Sequence, residues 1–337
     1  MARQDRLVAD VDRGFTALEN GEIEEAEACL ERCSKIDRKH ADVVALAAAV
    51  ADAQGDSETA LGKYTELAAL RPDDPMPRIC LARLQLHALG DPDAALDTLD
   101  QAFDFIDEEE DLVEAIVVRA EALIVTDDPE GARGALSELS TSAIEDPVLA
   151  FELAELSLAA EDPRHALRWI EIAKKDKSAT TDVQHLLGRV HEALGDHDET
   201  VKAWQAVRAA DLAAPPGPVA ISDDELERIA SAALEELPET ARAKLEHVPI
   251  LIDDVPSEEL VADGFDPRTL GVIEGPTMAD AGDIATSPTH IRLFKKNLER
   301  IAHDLDDLAE EVRITVLHET AHYFGLEDDD LEKIGLD

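Results

Sequence analysis

Residues 20–33 read NGEIEEAEACLERC, and the spacing in this stretch recurs through the first two thirds of the chain. A turn begins at Gly21, the small residue Ala26 follows five positions later, and the larger apolar Leu30 follows four positions after that. The same spacing recurs in six segments, at intervals of 34, 35, 37, 34 and 34 residues. Their turns begin at Gly21, Gly55 (with Asp56), Gly90, Asp127, Glu161 and Gly195.

The side chains that recur after each turn predict helical hairpins. The small residues are Ala26, Ala60, Ala95, Ala132, Ala166 and Thr200, and the larger ones are Leu30, Tyr64, Leu99, Leu136, Ile170 and Trp204. A small residue lets the second helix lie close to the first, and the larger residue one turn later fills the next gap. Because each hairpin leaves an apolar face uncovered, consecutive units stack on one another. The pattern therefore predicts an all-α solenoid of about six units over residues 1–210.

This pattern resembles tetratricopeptide repeats over about residues 7–212. The resemblance implies a concave surface, the repeat groove, that binds a protein or a peptide. The alternative is a solenoid that serves only as a spacer or as a self-association surface. No cluster of Lys, Arg and Asn marks a groove that grips a carboxylate, so the sequence does not name the ligand, and the oligomeric state stays open.

Residues 211–219, DLAAPPGPV, contain three prolines and a glycine. Proline cannot continue a helix, and clustered Pro and Gly are typical of a stiff linker. We therefore predict a Pro-rich linker at 211–219 and a second domain at 220–337.

The second domain has the pattern of a small α+β domain. A capping box that begins at Ser222 opens an amphipathic helix to about Leu237. Residues 306–325 are predicted to form one long helix, and residues 327–334 a short final one. Three short apolar runs flanked by turn residues have the length of strands: 248–252, 269–273 and 289–294.

The long helix carries VLHETAHYFG at 316–325, which contains the pattern His-Glu-x-x-His. Residues four apart lie on one face of a helix, so His318 and His322 can both reach one Zn²⁺. Glu319 is rotated by about 100° from His318, so it misses the metal but can reach a metal-bound water. Zinc would acidify that water and polarise a scissile carbonyl, and Glu319 would take the proton as general base.

A third protein ligand is expected after Gly325, where the chain can turn back toward the metal. Asp328 completes the pattern His-Glu-x-x-His-x-x-Gly-x-x-Asp and is our predicted ligand. Its neighbours Glu327 and Asp329 could substitute for it. The alternative for this acidic cluster is a solvated cap on the final helix.

Residues 222–335 resemble the minimal zincin-like metallopeptidases, a small bacterial family. The resemblance is carried by VPILIDDVP (248–256), LGVIEGP (270–276), HIRLFKKNLERIA (290–302) and TVLHETAHYFGLEDDDLEKIG (315–335). It implies an α+β zincin core in which His318, His322 and Asp328 ligate zinc and Glu319 is the base. It also implies that the strand of residues 291–294 is an edge near the cleft for an extended substrate.

Two features of larger zincin enzymes are not identified in the sequence. No methionine follows the motif, so the methionine turn that lies beneath the metal in larger enzymes is absent, and Met278 lies upstream of the motif. No oxyanion stabiliser can be assigned, and His290 and Tyr323 are no more than candidates.

The charge of the chain excludes several classes of function. It has 31 Lys and Arg against 77 Asp and Glu, a formal net charge of −46 over 337 residues. Phosphate contacts need clustered Lys and Arg, so we expect neither nucleic acid nor a membrane as a partner. The start of the chain shows no secretory signal, and no apolar run is long enough to span a bilayer. The acidity is spread over both domains, which fits adaptation to high salt or an ordinary acidic protein.

Two functions from different classes fit these observations. The first is a cytoplasmic zinc-dependent peptidase whose repeat arm recruits a protein partner or substrate. The second is a non-catalytic metal-binding adaptor or scaffold that acts through its repeats. Glu319 favours the first, because a site that only binds metal has no use for a carboxylate beside its first histidine. The cytoplasm is expected because three cysteines are too few for a disulfide framework.

Overall fold

The computed structural model describes residues 3–141, 144–215, 217, 219–245, 247–275 and 289–324. The chain divides into two compact units, Met1–Lys175 and Asp176–Asp337. Of the helices in the described ranges, none combines the length and the apolar composition that a membrane crossing requires.

The first unit is built from helices that pair as antiparallel hairpins, each helix against the next one in the chain. These helices are α1 (Arg3–Glu19), α2 (Ile23–Asp37), α3 (Ala41–Ala53), α4 (Ser57–Leu70), α5 (Met76–His87), α6 (Pro92–Phe103), α7 (Glu109–Val125), α8 (Pro129–Leu136), α9 (Pro147–Ala159) and α10 (Pro163–Ala173). The predicted all-α hairpin repeat is therefore confirmed in this unit.

Each of the six predicted turns begins at a residue in the left-handed backbone conformation. The φ angle is +58° at Asp127 and +56° at Glu161. The four glycines have φ angles between +62° and +75°: Gly21, Gly55, Gly90 and Gly195. Glycine adopts this conformation without strain, whereas a residue with a β-carbon does so at a cost of about 1–2 kcal/mol. The turn positions of the repeat are thus set by backbone geometry even where glycine is absent.

The hairpins pack through the predicted small and large residues. All five small alanines are fully buried, and Thr200 has only 2% of its surface exposed. Five of the six larger residues are buried as well, with Leu30 half-buried. A β-carbon added at Gly188 would lie 2.1 Å from Nε1 of Trp204, so the two helices of this hairpin pack too closely for any residue larger than glycine at this position.

The second unit begins with one more hairpin and continues into a mixed α/β region. Its helices are α11 (Thr180–Ala193), α12 (His197–Ala213), α13 (Asp223–Glu235), α14 (Glu239–Leu245), α15 (Glu258–Ala262), α16 (Lys295–Ile301) and α17 (Leu305–Tyr323). Its strands are β1 (Ile250–Asp253), β2 (Gly271–Glu274) and β3 (His290–Phe294). All three predicted strands and both long predicted helices are present, and the Ser222 hydroxyl caps α13 by accepting from the Glu225 N–H at 3.2 Å.

The hairpin of α11 and α12 belongs to the same compact unit as the α/β region. Helix α12 continues to Ala213 and so includes the first three residues of the predicted linker, because Pro215 is the first residue there that cannot continue a helix. The final predicted helix at 327–334 lies outside the described residues. The boundary at 211–219 between repeat and second domain stays a prediction.

The sheet of the described residues has the order β1-β3-β2, with β1 parallel and β2 antiparallel to β3. One face of β3, carrying Ile291 and Leu293, is fully buried against α13 and α17. On the other face, Arg292 forms ion pairs with Asp253 of β1 and Glu274 of β2. The sheet therefore positions α17 against one side of a small apolar core.

Candidate active site

The motif lies in the last two turns of α17. The Asp304 carboxylate starts this helix by accepting from the N–H groups of Asp306 and Asp307, at 2.9 Å each. Leu308, Val312 and Val316 lie four residues apart on one face of this helix, and all of them are fully buried in the core. This packing fixes the rotation of the helix and hence the direction in which the motif residues point.

The two histidines of the motif converge. Nε2 of His318 lies 2.8 Å from Nε2 of His322, and their ring centroids are 4.4 Å apart. Both side chains are half-buried. Two imidazoles bound to one tetrahedral zinc would hold their ligating nitrogens about 3.3 Å apart, so a shift of about 0.5 Å brings this pair to ligand spacing.

The side chain of Glu319 extends from the motif helix to strand β2. Its Oε2 accepts a long hydrogen bond from the backbone N–H of Ile273, at 3.4 Å. Ile273 lies opposite Ile291 of β3, but the N–H of Ile291 points the other way and donates to the carbonyl of Pro249. The N–H of Ile273 therefore points away from β3, toward the open edge of β2. The carboxylate therefore occupies the outer edge of β2, one residue along the helix from the first histidine.

The environment of Glu319 suits a proton acceptor. Burial raises the pKa of Glu319 above the ordinary value for glutamate, while the Ile273 N–H and the nearby His318 and His322 lower it to a smaller extent. A carboxylate with a raised pKa holds a proton more readily near neutral pH. The site thus carries a half-buried base beside two potential metal ligands.

The edge strand near the motif is β2, so the expectation that residues 291–294 form the edge is wrong. Strand β3 is central in the described sheet, because it pairs with β1 at one edge and with β2 at the other. It also has buried residues on both faces: Ile291 and Leu293 on one and Phe294 on the other. Such a strand is covered on both sides and paired at both edges. The backbone groups nearest Glu319 are those of β2.

Neither of the two candidate oxyanion stabilisers is placed for that role. His290 Nε2 lies 3.0 Å from Glu274 Oε2 and 3.0 Å from a guanidinium nitrogen of Arg292, so it is engaged across the sheet. Tyr323 has only 1% of its surface exposed, and its ring packs against Phe324.

The chemistry of the described donors fits zinc, although they do not complete a site. Two imidazoles are a common part of catalytic zinc sites, which add a third protein ligand and leave one position open. Within the described ranges, no group of three His, Cys, Asp or Glu side chains is arranged to hold a metal. The predicted third ligand, Asp328, and its neighbours Glu327 and Asp329 lie outside the described residues, as does Gly325.

A set of anchors that the sequence did not indicate holds the segment before β2. Arg268 donates to Asp211 at 3.0 Å and to Asp182 at 2.7 Å. The His185 ring nitrogen Nε2 lies 2.9 Å from both carboxylate oxygens of Asp266. The buried Asn297 side chain donates to the carbonyls of residues 267 and 269, at 2.8 and 2.7 Å. No periodic pattern joins residues this far apart in the chain, so a sequence signal for them is lacking.

Comparison with known families agrees with this architecture. Residues 245–336 match the zincin-like metallopeptidases. Residues 245–336 are a zincin-like metallopeptidase domain. Residues 11–40 and 75–101 match tetratricopeptide repeats, a class of repeat that mediates protein–protein interaction. The zincin-like family implies a metal, usually zinc, for the zincin-like domain.

Solved structures show a likeness in the fold of the helical part. PilW, a widely conserved type IV pilus biogenesis factor, is 14% identical with a TM-score of 0.53, over 62% of this chain and 94% of that one. PilF of Pseudomonas aeruginosa is 16% identical with a TM-score of 0.53, over 64% of this chain and 96% of that one. At these identities the likeness shows a helical repeat fold and nothing about function. No curated protein sequence matches the chain.

Proposed function

We propose that the protein is a zinc-dependent peptidase whose repeats recruit a protein partner or substrate. The observation that carries the proposal is the convergence of His318 and His322 at 2.8 Å, with the Glu319 carboxylate beside them at the edge of β2. His318 and His322 would hold the metal together with Asp328. We place the protein in the cytoplasm, since all three cysteines are free thiols, which suits a reducing compartment.

The residues of the chain divide the work of hydrolysis. Zinc, when bound, would supply Lewis-acid chemistry by acidifying a coordinated water and polarising the scissile carbonyl. Glu319 takes up the proton of the attacking water and returns it to the leaving amine nitrogen, which the raised pKa of this carboxyl favours. Peptide hydrolysis by this route consumes one water and leaves Glu319 ionised again.

We assign the substrate-binding edge to β2. An extended peptide can add to the edge of a sheet through backbone hydrogen bonds. Because Glu319 contacts the outward N–H of Ile273, a peptide that lies along β2 passes directly beside the catalytic carboxylate. A peptide bound at this edge would therefore meet the base without help from a further element.

The test combines zinc content with cleavage of fluorescein-labelled casein by the full-length protein. We expect about one zinc per chain, and Glu319→Gln should keep that zinc while losing activity by about 100-fold or more. His318→Ala should lose both zinc and activity. The matched controls are Glu311→Gln, on the same helix two turns earlier, and His303→Ala, at an exposed histidine; both should keep zinc and cleavage.

Two outcomes would contradict the proposal. Stoichiometric zinc with no cleavage by the wild type would favour the metal-binding adaptor. Folded protein that takes up no zinc would exclude both metal-dependent functions.

A further inference from the structure

The first unit contains a groove of about 970 Å³ on the first helices of three consecutive hairpins. Side chains of α5, α7 and α9 line it, together with the residues just before α7 and α9. Its volume is large enough for several side chains of an extended segment.

The groove is more acidic than the rest of the protein. Nine of its sixteen lining residues are Asp or Glu and one is arginine. In the whole chain, 77 of 337 residues are acidic. The general acidity of the chain therefore does not account for the charge of this surface.

The helix dipole accounts for only part of this charge. Glu109, Glu110 and Asp111 lie in the first turn of α7, where negative side chains stabilise a helix. Glu121 lies near the opposite end of α7, where the dipole disfavours a carboxylate, and Glu152 lies in the middle of α9. Helix stabilisation therefore does not explain the acidic residues at positions 121 and 152.

Much of the charge is uncompensated. Glu121 pairs with His87 at 3.2 Å and Glu114 interacts with the charge of Arg83, whereas Glu152 forms no salt bridge within the described ranges. The Glu152 carboxylate is open to solvent yet lies inside the concavity, whose walls raise its pKa by partial desolvation, with repulsion from Glu121 and Glu155 adding to the effect. A positively charged occupant would relieve this repulsion.

Apolar side chains lie between the acids. Val117 is three residues after Glu114 and four before Glu121, so the three share one face of α7 in the order acid, apolar, acid. Leu149 lies three residues before Glu152 on α9, so these two side chains also share one face of their helix. Both apolar side chains are half-buried, and each leaves part of its surface in the groove.

We propose that this acidic groove binds an extended protein segment in which Lys or Arg alternates with aliphatic residues. The basic side chains pair with Glu114, Glu121 and Glu152, and the aliphatic ones cover Val117 and Leu149. This proposal rests on the recruiting role proposed for the repeats, but it does not depend on peptidase activity.

The test measures fluorescence anisotropy of a short fluorescein-labelled peptide in which Lys and Arg alternate with Leu, with the full-length protein at low salt. We expect Glu114→Lys combined with Glu152→Lys to weaken binding by about tenfold or more. The matched control combines Glu27→Lys with Asp97→Lys, at exposed mid-helix acids of α2 and α6 that do not line the groove. It changes the net charge equally and should weaken binding by less than about threefold.

The proposal is overturned if the wild type does not bind the peptide, or if both pairs of variants weaken binding equally. Equal binding of a peptide with Glu in place of Lys and Arg overturns it as well. Circular dichroism checks that the variants are folded, and Glu114→Gln with Glu152→Gln should give an intermediate loss of affinity. Anisotropy needs no cleavage, so a negative result here leaves the peptidase proposal standing, and a failed cleavage assay leaves this one standing.

Discussion

The carboxylate of Glu319 accepts a hydrogen bond from the backbone N–H of Ile273, which joins the motif helix to the edge strand. Two residues earlier, at Gly271, the same strand packs closely against the helix. A β-carbon at Gly271 would lie 2.8 Å from Cγ2 of Thr315, one helical turn before Glu319. The contacts at Thr315 and Glu319 together set the distance between β2 and α17.

We expect Gly271→Ala to lower the free energy of unfolding of the second unit by about 1–3 kcal/mol, because the new methyl group overpacks this contact. The two tryptophans of the chain give a clean readout, since Trp169 lies in the first unit and Trp204 in the second. Urea denaturation of a Trp169→Phe background, followed by tryptophan fluorescence, therefore reports on the second unit alone. Adding Thr315→Ser removes the clashing methyl and should recover part of the loss. Stability unchanged in Gly271→Ala would show that strand and helix are not in close contact.

A second prediction concerns the last hairpin. Gly188→Ala should destabilise the second unit by about 1–3 kcal/mol, because its methyl group would meet the indole ring of Trp204 at 2.1 Å. The control is Gly62→Ala in α4, where a β-carbon meets nothing within 4 Å. Followed through Trp169 in a Trp204→Phe background, that change should stabilise by about 0.5–1 kcal/mol, since alanine is the better helix former. Equal effects of the two substitutions would contradict the packing described for this hairpin.

The two non-glycine residues in left-handed turns give a third prediction. Replacing Glu161 by glycine removes backbone strain of about 1–2 kcal/mol and adds about 0.5–1 kcal/mol of chain entropy to the unfolded state. The net gain should be about 0.5–1 kcal/mol in the first unit, read through Trp169. Asp127→Gly should gain less, since aspartate tolerates this conformation better than glutamate. Gly195→Ala should lose about 1 kcal/mol, and a stabilised Gly195→Ala would contradict the assigned turn geometry.

The pair of Asp266 and His185 predicts a pH dependence. Burial opposes ionisation of Asp266, but the hydrogen bond and charge of His185 and the Arg268 N–H outweigh it, so the pKa of Asp266 lies below its ordinary value. A lowered pKa contributes stability that is fully present above about pH 4 and is lost as the pH falls through the lower folded value. Asp266→Asn should therefore cost about 1–2 kcal/mol at pH 7, and the difference from wild type should shrink below about pH 4. A difference that stays constant down to pH 3 would show that the charge of Asp266 is not the cause.

Much of the fold could be predicted from the sequence because its signals are local. The turn, the small residue and the large residue of each hairpin fall within ten positions, and the cap at Ser222 lies within four. The order of the strands could not be predicted, because three short apolar runs do not show which of them pairs on both sides. Leu293 and Phe294 are neighbours and point to opposite faces of the sheet, and both are buried. The sequence shows two adjacent apolar residues, but it does not show that both faces are covered.

The candidate site also has parts that local sequence signals predict and parts that depend on long-range contacts. Helical periodicity places His318 and His322 on one face, and their nitrogens do converge. The partner of Glu319 depends on the register of β2, which long-range pairing decides, so Ile273 carried no signal. The sequence predicts a linker that starts at Asp211, yet the carboxylate of Asp211 pairs with Arg268 and Arg300, which lie 57 and 89 positions further along the chain. Whether Asp328 is the third ligand stays a prediction.

The division of the chain after Lys175 has a consequence for how this peptidase domain could be moved between proteins. A transplant that begins at residue 220, after the Pro-rich linker, would leave Asp182, His185 and Asp211 behind. It would strip Arg268 of both its carboxylate partners and Asp266 of its imidazole. A graft that starts at residue 176 carries these partners along. A functional graft should therefore include the last repeat hairpin together with the zincin-like domain, whereas the helices ahead of residue 176 can be exchanged.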